Sequence, residues 1–199
     1  ATNRLKRWNF NLVAAGHSPS CRYRGLPHTE FISFGSGYSG HDALVEKTTW
    51  TGFPNVFSAT WEQWCDKLAW KMCRPNADNP WLLGYFLDNE LEWYGKGGGV
   101  VGVAIETAKL PADNSGKQAL VNLLKQRHGD SIEKLNKAWG AEYESWEALA
   151  SATTFEAVNQ EALREDQLAF VAEVADRYLR TTCEAIRRWD PNHMILGSR

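Results

Sequence analysis

Residues 82–87 read LLGYFL, and this apolar run stops abruptly at Asp88, Asn89 and Glu90. Asp78-Asn79-Pro80 turns the chain just ahead of it. A short run that is apolar throughout and bounded by turn residues reads as a strand buried on both faces. Such strands belong to parallel sheets, with helices covering one face and side chains filling the other. The rest of the chain supplies the other parts. Residues 10–15 and 29–34 read as short strands, and residues 193–196 as another. Trp61, Trp64, Cys65, Leu68, Ala69, Met72 and Cys73 recur at the spacing of an amphipathic helix. Further helices are expected at 115–126 and 131–139, with Gly129 as a stop between them, and a short one at 145–149. A long helix is expected at 161–189, with an inner stripe of Leu163, Phe170, Val171, Val174, Tyr178, Cys183 and Ile186. Residues 4–9 read as the end of a helix, residues 35–57 as a long loop, and the glycine run 97–99 as a loop either mobile or closely packed.

Strands alternating with helices predict a parallel α/β sheet. With about four strands in 199 residues, against roughly 250 residues for a complete (β/α)8 TIM barrel, the expectation is a partial barrel. A half barrel alone exposes sheet edges and apolar helix faces, so its expected partner is the remainder of the barrel or a second copy through self-association.

Composition narrows the function. A formal net charge of −2 offers no basic footprint for nucleic acid. No apolar run approaches the roughly 18 residues of a membrane span, so no membrane partner is expected. The opening ATNRLKRWNF carries no apolar signal-peptide core and no initiator Met, which reads as a mature or excerpted chain. Cys21, Cys65, Cys73 and Cys183 form no C-x-x-C pair, and the last three fall on apolar helix faces, as buried thiols or, since spacing does not fix geometry, as a disulfide. No H-E-x-x-H is present, so no metal and no other cofactor is expected. Gly97, Gly99 and Gly102 fit G-x-G-x-x-G but lack the preceding strand that a dinucleotide site needs. Ser18 and Ser198 lack a nucleophile-elbow setting.

Acids and amides at the carboxyl end of an apolar strand are how α/β barrels present catalytic groups. Cleaving a glycosidic bond takes one carboxylic acid to protonate the leaving oxygen and a second carboxylate across the sugar. Glu90, after so apolar a strand, is suited to be a desolvated, proton-holding acid. Continued strand alternation puts Asp88 and Glu90 on one face, about 6.6 Å apart along one wall, which is wrong for a flanking pair. Asp88 is therefore expected to brace the turn by accepting hydrogen bonds from an Arg or from backbone. The ten Trp divide between packing and stacking on sugar rings, with Trp93 a candidate for the latter. His17, after a strand, is either a sugar contact or a simple loop or core histidine.

The segment GYFLDNELEW resembles the fourth-strand motif of retaining (β/α)8 glycoside hydrolases, closest to the beta-agarases of glycoside hydrolase family 50 and more distantly to the family 42 beta-galactosidases. Four further segments resemble that family in order: Leu5 to Asn11, Gly52 to Phe57, Leu135 to Trp139 with Ser145-Trp146, and Asp190 to Arg199. The resemblance implies that the chain covers roughly strands 2 to 5, as residues 1–199 of a partial catalytic domain with 91–160 as a loop and helical insertion. It implies Glu90 as general acid/base, Asn89 as the ligand of the hydroxyl beside the reacting carbon, and a nucleophile outside this chain. Asp88 would support, and His17 and Trp93 would contact substrate. The implied substrate is a beta-linked galactose-containing poly- or oligosaccharide, the implied location extracellular or periplasmic, and the isolated fragment inactive. A non-catalytic carbohydrate-binding or degenerate barrel protein is the alternative. Asn9, His17 and the 97–99 loop depart from the family pattern.

Overall fold

The computed structural model describes residues 1–48 and 51–198. Thr49 and Trp50, within the loop expected at 35–57, and Arg199, at the end of the segment likened to a fifth strand, lie outside the described residues. In chain order the elements are α1 (Thr2–Arg7), β1 (His28–Ile32), α2 (Phe34–Tyr38), β2 (Ala43–Val45), β3 (Phe53–Pro54), α3 (Trp61–Met72), β4 (Leu82–Leu87), α4 (Gly102–Ala108), α5 (Ser115–Arg127), α6 (Ile132–Trp139), α7 (Trp146–Ser151), α8 (Gln160–Trp189) and β5 (Met194–Ser198). They fall into two units, one formed by Ala1–Gly37, Glu62–Glu90 and Leu179–Arg199, the other by Tyr38–Trp61 and Leu91–Tyr178.

The first unit holds a parallel sheet in the order β1-β4-β5. Ile32 and Leu87 pair at its carboxyl end, and both are fully buried. Gly84 sits where β4 and β5 approach closely, because a Cβ there would overlap the Met194 carbonyl oxygen. One stripe of α3, Cys65, Ala69 and Cys73, is fully buried, with the Cys73 thiol beside Tyr85 of β4. Burial pushes both thiols up, Cys73 to about 12. Cys183 is half-buried, and all four cysteines are free thiols. Ahead of β5, Asp190 is fully buried and accepts from Tyr85 Oη (2.6 Å), His193 Nδ1 (2.7 Å) and the backbone N–H groups of Asn192 and His193. Burial disfavours the Asp190 charge, yet these donors hold its carboxyl below the usual range. The cluster lies at the amino end of β5, where barrel-type sheets place stability rather than chemistry.

The strand expected at residues 10–15 is reduced to a single parallel bridge, Val13 to His28. Asn9 (φ 61°) and Gly16 (φ 89°) take left-handed backbone on either side and cut the extended chain short, and Phe10 is exposed. The stretch expected to be one long loop instead contains α2 and the antiparallel pair β2-β3.

The second unit is mostly helical. Asn114 caps α5 through Gly116 N–H (2.8 Å), Ser131 caps α6 and Ser145 caps α7. Gly140, left-handed at φ 66°, ends α6. Asp166 of α8 is buried and gathers Arg127 Nε, His128 Nε2 (2.8 Å) and Trp139 Nε1 (2.7 Å), joining α5, α6 and α8. Lys117 of α5 is fully buried and donates to Ala108 O and to Ala152 O (2.6 Å), with Phe155 4.9 Å beneath it. It thus meets the carboxyl ends of α4 and α7, where a cation is favoured. Burial lowers its pKa to about 8.

Candidate active site

The end of β4 is fastened to the segment that follows β1. Asp88 N–H continues the ladder to Ile32 O (3.0 Å), and its side chain is fully buried. Asp88 Oδ2 accepts from Gly35 N–H (2.6 Å), and Oδ1 accepts from Ser36 N–H (2.8 Å) and Ser36 Oγ (2.7 Å). The first turn of a helix leaves such N–H groups without intrahelical partners, so a carboxylate there satisfies donors that the short α2 cannot. These donors are 52 and 53 residues upstream, and neither is an arginine.

Strand alternation does not continue past Leu87. Asp88 (φ 55°) and Glu90 (φ 52°) both take left-handed backbone, so the expectation of one shared face of extended chain is corrected. That conformation is tolerated by aspartate and is unusual for glutamate. The chain therefore zigzags through the acid-amide-acid triplet, with three different environments in succession: Asp88 buried, Asn89 half-buried, Glu90 exposed. The expected desolvation of Glu90 is also corrected, since the described residues leave it open to solvent. Asn89 and Glu90 have no side-chain hydrogen bond or ion pair among the described residues, so their polar atoms are free for a ligand.

His17 is not with this triplet. Its Nδ1 lies 2.7 Å from Ala14 O, and Arg22 Nε approaches its Nε2 at 3.5 Å. Its ring meets that of His28 edge-on at 5.5 Å. Both rings face Glu30, which Arg22 grips through both carboxylate oxygens at 2.6 and 2.7 Å. His28 opens β1 and Glu30 is its middle residue, so the cluster lies toward the amino half of the strand whose other end neighbours Asp88. Burial lowers the His28 pKa, with Glu30 opposing.

Trp93 lies in the second unit, half-buried against Phe53 (4.5 Å) and Tyr178 (5.8 Å). The next residue, Tyr94, is 61% exposed and presents the open aromatic ring of this segment, which sequence patterning did not single out. The glycine run is closely packed in part. A Cβ on Gly102 would overlap the Tyr94 carbonyl, and one on Gly98 would press on Gly102, whereas Gly97 and Gly99 face open space.

No family model matches the sequence. Beta-agarase A of Vibrio sp. (strain JT0107) is 29% identical over 217 residues, taking in 98% of this chain and 21% of the relative. The chain resembles the beta-agarases. Beta-agarase B of the same strain is 26% identical over 136 residues, 64% of this chain and 14% of that protein. The chain thus spans about a fifth or less of the curated beta-agarases it matches. Among solved structures, an exo-beta-agarase superposes with a TM-score of 0.80 at 24% identity, over 99% of this chain and 27% of its own. The agarase AgWH50C gives 0.78 at 25%, over 99% of this chain and 28% of its own. A beta-galactosidase from the psychrophilic Marinomonas ef1 shares the fold alone, with a TM-score of 0.65 at 14% identity over 98% of this chain and 34% of its own. The likeness read from GYFLDNELEW is therefore the one these comparisons return, including the more distant beta-galactosidases.

Proposed function

We propose that this chain carries the acid/base part of a retaining, beta-agarase-like glycoside hydrolase of (β/α)8 architecture. In this reading it supplies roughly strands 2 to 5 of the barrel, with 91–160 inserted after the fourth. The substrate is a beta-linked galactose-containing poly- or oligosaccharide. The observation that carries the reading is the construction at the end of β4. Asp88 is locked by Gly35 and Ser36, while Asn89 and Glu90 follow with unpaired polar atoms.

Glu90 protonates the leaving oxygen and afterwards takes a proton from water. Asn89 hydrogen-bonds the hydroxyl beside the reacting carbon. Asp88 positions both through the backbone. The nucleophilic carboxylate comes from outside these 199 residues, and a bound sugar covers the acid and excludes water around it. His17 keeps its candidacy as a substrate contact only if sugar reaches the amino half of β1, and Trp93 acts at the edge of its aromatic cluster. The isolated chain is inactive in this reading, and β5 seats the next strand of the barrel.

In the complete enzyme, Glu90→Gln lowers turnover of natural galactan by roughly 10²–10⁴-fold. Activated aryl galactosides, whose leaving groups need no proton, keep much more of their rate. Natural-substrate turnover near wild type in Glu90→Gln refutes the assignment. The exposure of Glu90 favours one second reading, a carbohydrate-binding protein without catalysis; galactan binding with no turnover in the complete protein selects it.

A further inference from the structure

A cleft of about 450 Å³ lies wholly within the second unit, between α4, the segment before α8, and the first two turns of α8. That size falls in the range of small-molecule sites. Its floor is apolar, with Val101, Ala108 and Leu163 buried. Its rim is polar and has one sign of charge. Lys109 and Arg164 line it, and no aspartate or glutamate does. Lys109 is paired with Glu106 at 2.9 Å. Arg164 has no acidic partner and no side-chain hydrogen bond among the described residues. The Thr154 hydroxyl and Gln167 amide, also on the rim, are equally without partners among the described residues.

Each of these features restricts the ligand. An unpaired guanidinium beside a carboxylate-free lining selects an anionic group, which its forked N–H donors match in pairs. Free hydroxyl and amide groups select a partner rich in hydroxyls. A flat apolar floor selects a body with a C–H face. A saccharide bearing a sulfate or carboxylate meets all three demands, and a bare anion or a neutral sugar meets only some of them. We propose that this cleft is an accessory site for an acidic saccharide unit, with the anionic group on Arg164 and the ring over Leu163. The choice of a saccharide rests on the glycan-processing reading above. The site itself lies apart in sequence from Asn89 and Glu90, and serves to hold the polymer rather than to cut it.

The test is binding to the full chain by calorimetry or by nuclear magnetic resonance shifts, with four probes: a sulfated galactose disaccharide, its carboxylated counterpart, the unsubstituted disaccharide, and inorganic sulfate. Arg164→Gln is the variant, and Lys137→Gln, at an exposed position on α6, controls for general charge. Circular dichroism checks that both fold. The expected result is that one or both acidic disaccharides bind at least about tenfold more tightly than the neutral one and than sulfate alone. The sulfated and carboxylated arms identify which anion is used. Arg164→Gln erases that advantage and Lys137→Gln keeps it. Equal affinity for neutral and acidic disaccharides overturns the proposal, as does sulfate alone binding equally well, or acidic binding untouched in Arg164→Gln. Its failure is separable from that of the enzyme reading, which is measured by turnover in Glu90→Gln and not by binding at Arg164.

Discussion

Asp88→Ala is the substitution that most directly tests how the candidate site is built. Three donors converge on a fully buried carboxylate, at 2.6, 2.8 and 2.7 Å. Hydrogen bonds to a charged group contribute roughly 1.5–3 kcal/mol each, but they are not additive, and the carboxylate itself resists burial. Alanine leaves the buried Gly35 N–H unsatisfied, at a cost of about 1–3 kcal/mol. It also occupies left-handed backbone that aspartate tolerates, adding about 1 kcal/mol. The expected loss is about 2–4 kcal/mol, a large part of a typical domain's 5–15 kcal/mol. Asp88→Asn keeps the left-handed preference and one acceptor oxygen, while its amide N–H₂ group must face one of the donors; about 2 kcal/mol is expected. Urea unfolding of the three proteins, followed by circular dichroism with linear extrapolation, measures both. A cost below about 1 kcal/mol for Asp88→Ala, or a larger cost for Asn than for Ala, refutes the bracing role.

Two further predictions concern the second unit. Lys117 has its pKa lowered by burial from 10.5 to about 8. Above pH 8 the folded chain has released this proton while the unfolded chain still holds it, so this group's contribution to stability rises with pH up to about 10.5. That contribution is flat below pH 8. The shift corresponds to about 3 kcal/mol across the window. The thiols and Tyr85, raised by burial, push the other way at high pH, so the quantity to measure is the difference between wild type and Lys117→Met in urea melts from pH 7 to 10.5. A difference that does not change over that range contradicts a buried ammonium. Gly102→Ala drives a methyl group into the Tyr94 carbonyl and should cost about 1–3 kcal/mol, as overpacking does. Thermal melts check it, and an unchanged midpoint would show that the glycine clasp is not tight.

The elements legible in the sequence were those with local causes. The strand at 82–87 was bounded by a turn on one side and polar residues on the other, and β4 occupies those residues. The helices α3 and α8 carried apolar stripes, and α5 to α7 have side-chain caps at Asn114, Ser131 and Ser145. The helix α4 was hidden because the glycine run pointed to a loop, although Val103, Ala104 and Ala108 already formed a buried set. The strand expected at 10–15 failed because left-handed residues on both sides outweigh an apolar run. At the site, the residue types were legible and the geometry was not. The grip on Asp88 comes from Gly35 and Ser36, and nothing local to 82–93 indicates it. The Arg22–Glu30 pair beside His17 and His28 likewise depends on how a loop folds back onto β1.

The left-handed backbone at Glu90 has a consequence for engineering. A glutamate at φ 52° occupies a conformation that glycine or asparagine adopts more cheaply, by about 1 kcal/mol or more. A variant library sorted only for heat resistance should therefore enrich Gly or Asn at position 90 and discard the side chain proposed to do the chemistry. Stability selection and activity selection would choose different residues at that single position, so a thermostabilised version of this protein should be screened for turnover at every round rather than at the end.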